Sequence, residues 1–230
     1  SLDINGNQTI SRTTVDPATK TVTQTVDYPD SANNEITTTV NGLTASHQSK
    51  TGVLTTFSYD GLGRRTGVAD PRTGTAVTHY DTYGRVDYVQ DPAGHTTSFT
   101  YDGAGRKASE TGPANKTTRF AYNDLGLMTH KWGSAVEPVA FDYDAYGQMT
   151  GMNLYRGGTG WDAVAWPTAT AGDADTTAWA YQASTGLLLS KTDDAGQATT
   201  YTYSSGNKLH TRAWARQNGS LVTTYGYDPS

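Results

Sequence analysis

Polar and apolar side chains alternate with a period of two along most of this chain, and residues that favour turns interrupt the alternation at short, regular distances. Thr55, Phe57 and Tyr59 share one face of such a run, as do Thr97, Phe99 and Tyr101, then Thr118, Phe120 and Tyr122, then Val139, Phe141 and Tyr143. Successive strand side chains point to opposite faces, and threonine, valine and aromatics suit a pleated, half-buried surface. Each run therefore predicts a β-strand. Tyr59, Tyr80, Tyr101, Tyr122 and Tyr143 stand 21 residues apart without a gap, and a fixed period of this size predicts one supersecondary unit repeated side by side. One copy departs from the aromatic rule, with Ala76 and Thr78 before Tyr80.

Each tyrosine precedes a turn. Asp60, Asp81, Asp102 and Asp144 can accept hydrogen bonds from the turn's own amides, and Gly63, Gly84, Gly105, Gly126 and Gly147 tolerate positive φ at its end. Arg64, Arg85 and Arg106 then begin the return strand. A second turn lies half a period on, clearest in Asp91-Pro92-Ala93-Gly94; Asp70-Pro71-Arg72-Thr73-Gly74 is similar with one more residue. Two turns per period leave two short strands and no room for a helix, so the unit is a β-hairpin. Alternation assigns Arg65, Val86, Lys107, Met128 and Met149 to one face and Val68, Val89, Glu110, Lys131 and Met152 to the other. Neither column is uniformly apolar, so which face looks inward stays open.

The repeated Tyr-Asp-x-x-Gly-Arg, preceded by Thr-x-aromatic-x-Tyr, resembles the YD repeats, also called RHS (rearrangement hot spot) repeats. Such repeats occur in bacterial polymorphic toxins, in the B and C components of insecticidal toxin complexes, in wall-associated proteins and in teneurins. The resemblance runs from about Ser11 to the C-terminus, with degraded copies at Tyr122-Asn123-Asp124-Leu125-Gly126-Leu127 and Tyr143-Asp144-Ala145-Tyr146-Gly147-Gln148. It implies an all-β fold of tandem hairpins forming a curved antiparallel sheet strip, part of a spiral shell. It also implies a secreted or surface-exposed bacterial protein. Its partners would be neighbouring repeats, other shell components and an encapsulated, in some members toxic, polypeptide. The DPxGLxGG-type sequence with which some members cleave themselves is absent, so self-cleavage is not expected. The chain is expected to be a segment of a longer protein.

The pattern divides the chain into four regions. Residues 1–54 carry degenerate hairpins, with strands at Thr21–Val26 and Ile36–Val40 and a tight turn at Asn41-Gly42. Residues 55–154 hold the regular repeats. The next recognisable strand places its tyrosine, Tyr181, 38 residues after Tyr143, one period plus 17, so 155–176 is an insertion loop. Irregular repeats resume over 177–230, with strands ending at Tyr203 and Tyr227.

Composition narrows the chemistry. Apolar residues make up 35%, mean hydropathy is −0.61, and the aromatics are 15 Tyr, 5 Trp and 4 Phe. An aliphatic core is not expected; tyrosine can pack its ring while the hydroxyl stays in water. A net charge of −5 without a basic run argues against nucleic acid. The chain has no cysteine, hence no disulfide or thiolate metal site, and no apolar run long enough to span a membrane. No cofactor is expected.

His47, His79, His95, His130 and His210 lack metal-ligand spacing and read as surface residues. Tyr59 and Asp60 point to opposite faces and cannot share a site, which leaves the aspartates as turn caps and the arginines as contacts to neighbouring repeats. Asp3-x-Asn5-x-Asn7 and Asp173-x-Asp175 offer too few oxygens for calcium. Gly61-Leu62-Gly63 and Gly103-Ala104-Gly105 close hairpins and open no helix, so they cradle no phosphate. Sequons stand at Asn7, Asn115 and Asn218. Trp161 and Trp166, in the insertion, are the candidate contacts for a ligand or partner, although covering the sheet is the favoured role. The function expected is a non-catalytic wall segment, with unpaired sheet edges open to self-association; an adhesion or carbohydrate-binding module is the alternative. No pair of carboxylates is nominated for catalysis.

Overall fold

The computed structural model describes residues 8–29, 31–156, 158–167, 174–215 and 219–228. The Asp3 to Asn7 stretch, Asp173 and the sequon asparagine Asn218 lie outside them.

Nineteen strands and no α-helix are found among the described residues. Two units divide the chain, Ser1–Phe99 and Thr100–Ser230, the division falling inside a strand. The first contains β1 (Ile10–Asp16), β2 (Thr21–Asp27), β3 (Glu35–Val40), β4 (Leu43–Gln48), β5 (Leu54–Tyr59), β6 (Arg65–Asp70), β7 (Gly74–Tyr80), β8 (Val86–Gln90) and most of β9 (Thr96–Tyr101). Each pairs antiparallel with the next. The second contains β10 (Lys107–Thr111), β11 (Thr117–Tyr122), β12 (Met128–Trp132), β13 (Val139–Tyr143), β14 (Met149–Tyr155), β15 (Ala174–Tyr181), β16 (Leu188–Thr192), β17 (Ala198–Tyr203), β18 (Leu209–Ala213) and β19 (Val222–Thr224), again paired in order. This is an all-β, antiparallel hairpin array.

Turn chemistry fixes the register. The β3–β4 hairpin closes on Asn41 and Gly42, at φ 52° and 79°, the pair of left-handed residues that a two-residue turn matching strand twist requires. In the regular repeats Gly63 donates its N–H to the Asp60 carbonyl at 3.0 Å, and Asp60 donates to the Arg64 carbonyl at 3.0 Å. Register then shifts by one residue at the tyrosine, between Ser58 and Tyr59, and again at Tyr80, Tyr122, Tyr143, Tyr181 and Tyr203.

That bulge corrects the reading of the return strands. Tyr59 sits opposite Arg65 and Phe57 opposite Val68; Tyr80 faces Val86 and Thr78 faces Val89. Likewise Tyr122 faces Met128 and Phe120 faces Lys131, while Tyr143 faces Met149 and Phe141 faces Met152. The extra residue puts both columns on the tyrosine face, where strict alternation had separated them. Lys107 and Glu110, expected on opposite faces, accordingly form an ion pair at 2.7 Å.

The opposite face carries small and polar cross-strand pairs. Thr66 bonds Ser58, His79 bonds Asp87 at 2.6 Å, Thr100 bonds Ser109 and Thr202 bonds Thr211. Trp132 and Ala140 are the buried apolar residues among those described. With so little enclosed apolar area, stability accumulates from neighbour contacts of about 0.2–1 kcal/mol per cross-strand pair.

Candidate functional site

Three groupings of side chains stand out, and the first is the turn itself. Asp60 Oδ1 accepts the N–H groups of Leu62 and Arg64 at 2.9 and 3.0 Å, while Oδ2 receives the Arg64 guanidinium at 2.7 Å. Asp81 with Arg85 and Asp102 with Arg106 repeat this arrangement. Partial desolvation alone would raise these three carboxyl pKa values; the arginine's amide and guanidinium bonds and the second turn amide outweigh it, and each lies below the usual carboxylate range. In the intermediate turn Asp70 is lowered to about 2, chiefly by the Arg72 side chain.

The arginines also reach the following repeat. The Arg64 guanidinium lies 4.3 Å from the centre of the Tyr80 ring and Arg106 4.7 Å from that of Tyr122, and Arg106 additionally bonds the Asn123 carbonyl at 2.9 Å. Arg85 lies over Tyr83 of its own turn at 4.9 Å.

The second grouping is a series of tyrosine ties. The hydroxyl of Tyr59 donates to the carbonyl of Thr44, Tyr80 to Arg65, Tyr122 to Lys107, Tyr143 to Met128 and Tyr203 to Leu188, at 2.8–3.1 Å and always 15 residues back. Tyr181 reaches Met149 across the insertion at 2.9 Å, and Tyr227 reaches Leu209 at 2.8 Å. Five of these hydroxyls, expected to stay in water, are thus part-buried against the preceding hairpin's return strand, while the bonds of Tyr80 and Tyr227 are exposed. Desolvation raises the pKa of Tyr143, Tyr181 and Tyr203.

The third grouping is the insertion. Trp161 and Trp166 lie 5.3 Å apart; Tyr155 is 5.6 Å from Trp161 and 5.5 Å from Trp166, and Trp132 meets Trp166 edge-on at 5.8 Å. Trp132 Nε1–H donates to the Ala163 carbonyl at 3.1 Å, and His130 sits 4.4 Å from Trp166. Pairing of Trp132 with Arg119, and of His130 with Ala121, places this cluster on the face opposite the tyrosines. The tryptophans rest half-buried on the sheet. His130 is thus half-covered where a surface residue was expected, and desolvation lowers its pKa, partly offset by Asp142. Trp132, Tyr155 and His130 were missed by sequence reasoning; the available signal was a tryptophan in a column otherwise filled by Ala69, Gln90, Thr111 and Asn153.

Two hollows adjoin these groups. One of about 420 Å3 runs from Ser134 to Pro138 and past Tyr155 to Trp161. The other, about 710 Å3, lies between the turn at Asp144 and the strand carrying Trp179 and Tyr181. Among the described residues, no cluster of His, Asp and Glu is placed to hold a metal ion, and no helix is long and apolar enough to cross a membrane.

The teneurin YD-shell family matches residues 31–160, more than half of the chain. The chain belongs to the YD-shell family. Solved structures resembling this YD-shell segment include TcdB2-TccC3 without its hypervariable C-terminal region, at 16% identity and TM-score 0.47 over 89% of this chain. TcdB2-TccC3-TEV follows at 15% identity and TM-score 0.49 over 92%, and TcdB2-TccC3-Cdc42 at 15% and 0.49 over 89%. The chain spans 14% of the length of each. No curated protein matches the sequence. The family is one of structural shell domains, and this YD-shell segment is a stretch of such repeats.

Proposed function

We propose that this segment is a non-catalytic part of a shell wall in a secreted or surface-exposed bacterial protein, a shell that encloses or presents a toxic or other polypeptide. The observation that carries the reading is the tyrosine tie: at seven tyrosines a hairpin is fastened to its predecessor by a side chain as well as by the strand ladder. A sheet fastened twice at most of its steps is suited to a wall that must not open. The regular repeats of 55–154 form its uniform part, and the tryptophans of the 155–176 insertion cover one face.

The test is protease protection in the longer protein that contains this segment. An enclosed polypeptide resists digestion while the shell is folded and is degraded once denaturant opens it. Digestion of every non-repeat region at equal rates with and without denaturant would overturn enclosure.

A further inference from the structure

The repeats differ at one position in a way that predicts a ligand. In three repeats the turn aspartate holds its own arginine: Asp60 with Arg64, Asp81 with Arg85, Asp102 with Arg106. In two of these the guanidinium also lies over the next repeat's tyrosine ring. Later in the chain Lys208 occupies the same position, its ammonium 5.2 Å from the Tyr227 ring centre. A cation between a turn and the next aromatic ring thus recurs at three turns, those of Arg64, Arg106 and Lys208.

The fourth repeat loses both charges together, with Asn123 and Leu127 in place of the pair. The fifth loses only the cation. Asp144 remains, its Oδ1 accepting the N–H groups of Tyr146 and Gln148 at 2.9 Å each, as Asp60 does in its own turn. Gln148 stands where arginine stood, and its Nε2 donates to the Gly186 carbonyl at 2.8 Å, away from the carboxylate. Among the described residues no cation pairs with Asp144. The hollow of about 710 Å3 opens here, lined by Asp144, Gln148, Trp179 and Tyr181, with Tyr146 at its rim. Tyr146 is 83% exposed.

We propose that this hollow is a binding site for the arginine side chain of another polypeptide. Asp144 Oδ2 would accept the guanidinium N–H groups, as Asp60 accepts those of Arg64, and the ring of Tyr181 would face the cation's plane, while Trp179, whose ring centre lies 5.6 Å from the Lys191 ammonium, would form the adjoining wall. A planar, delocalised cation with several donors fits a carboxylate beside an aromatic face. The volume beyond the guanidinium position accommodates the residues on either side of the arginine. The site needs nothing from an enclosed polypeptide and stands independently of the wall function.

The experiment uses the 230-residue chain, titrated with N-acetyl-Gly-Arg-Gly-amide while the Trp179 indole resonance is followed by NMR. The comparison peptide carries citrulline, which has the same shape without the charge. The arginine peptide should bind and shift Trp179, with citrulline about tenfold weaker or worse, since hydrogen bonds to a charged group carry the difference. Asp144→Asn should weaken binding similarly and still fold, because Asn123 closes the same turn in the preceding repeat through Leu125 and Leu127 amides. Gln148→Arg should abolish binding by filling the site from within. Equal binding of the two peptides, undiminished binding to Gln148→Arg, or no shift of Trp179 at millimolar arginine peptide would overturn the proposal.

Discussion

Replacing Tyr122 by phenylalanine removes one oxygen from the array and leaves the ring beneath Arg106. The lost interaction is the bond from the hydroxyl to the Lys107 carbonyl, 2.9 Å long and partly buried. A neutral hydrogen bond of this kind contributes about 0.5–1.5 kcal/mol net, because the unfolded chain makes the same bond to water. The Arg106 guanidinium, 4.7 Å from the ring centre, stays in contact with it, so the apolar and cation–π contributions are unchanged. The expected loss is about 1 kcal/mol, which is about fivefold in the local opening equilibrium. Repeat arrays do not melt as one unit, so amide hydrogen exchange resolved by segment is the appropriate assay. Amides of β10 to β12 should exchange about fivefold faster, with β1 to β4 unaffected. Tyr146→Phe is the control, since that side chain is 83% exposed. Exchange in Tyr122→Phe indistinguishable from the control would refute the idea that the hydroxyls fasten one hairpin to the next.

Other consequences are equally direct. A Cβ at Gly133 would overlap the Thr117 carbonyl oxygen, at φ +131°, so Gly133→Ala should destabilise the second unit by roughly 2 kcal/mol or more. In contrast, a Cβ at Gly67 presses on the Ser58 hydroxyl and otherwise stands at ordinary contact distance, 3.6 Å from the Ala76 carbonyl oxygen, so a turn of the Ser58 side chain relieves it and thermal melts of the two alanine variants should differ clearly. Trp132→Ala empties a site that is 5% exposed and should cost about 3–5 kcal/mol, with a red shift in the emission of the remaining tryptophans as the insertion lifts away. Tyr143, Tyr181 and Tyr203 have pKa values raised above the ordinary 10.0. Their contribution to stability is complete below that value and is lost as pH climbs through the folded-state values, so denaturant midpoints should fall from about pH 10 upward. At the acid end, Asp60, Asp81 and Asp102 have lowered pKa values; the stability they supply is present above about pH 4 and should fade as pH drops through their folded values.

The hairpins and their turns were legible because local rules determine them: alternation marks the strands, and Asp and Gly at fixed offsets mark the reversals. The faces were only half legible. One inserted residue beside each tyrosine moves Val68 and its equivalents across the sheet, and no side-chain pattern announces a bulge. The tyrosine ties were invisible for a different reason. Their acceptors are main-chain carbonyls at Thr44, Arg65, Lys107, Met128 and Leu188, positions whose side chains share no chemistry. Trp161 and Trp166 were recognised as needing cover, but their seat on Trp132 and Tyr155 depends on a fold-back that spacing does not encode. The change from arginine to glutamine at position 148 was plain in the text, and it gained meaning only once the arginines were seen bridging turns to rings.

Strand pairing reads the same in both directions, but the seven tyrosine ties do not, for each of them points toward the N-terminus. During synthesis each emerging tyrosine would find its acceptor already in place on the chain ahead of it, so the array can grow by docking one finished arch at a time. Trimming from the C-terminus would leave every surviving hydroxyl bonded, whereas trimming from the N-terminus would strand the first tyrosine left behind.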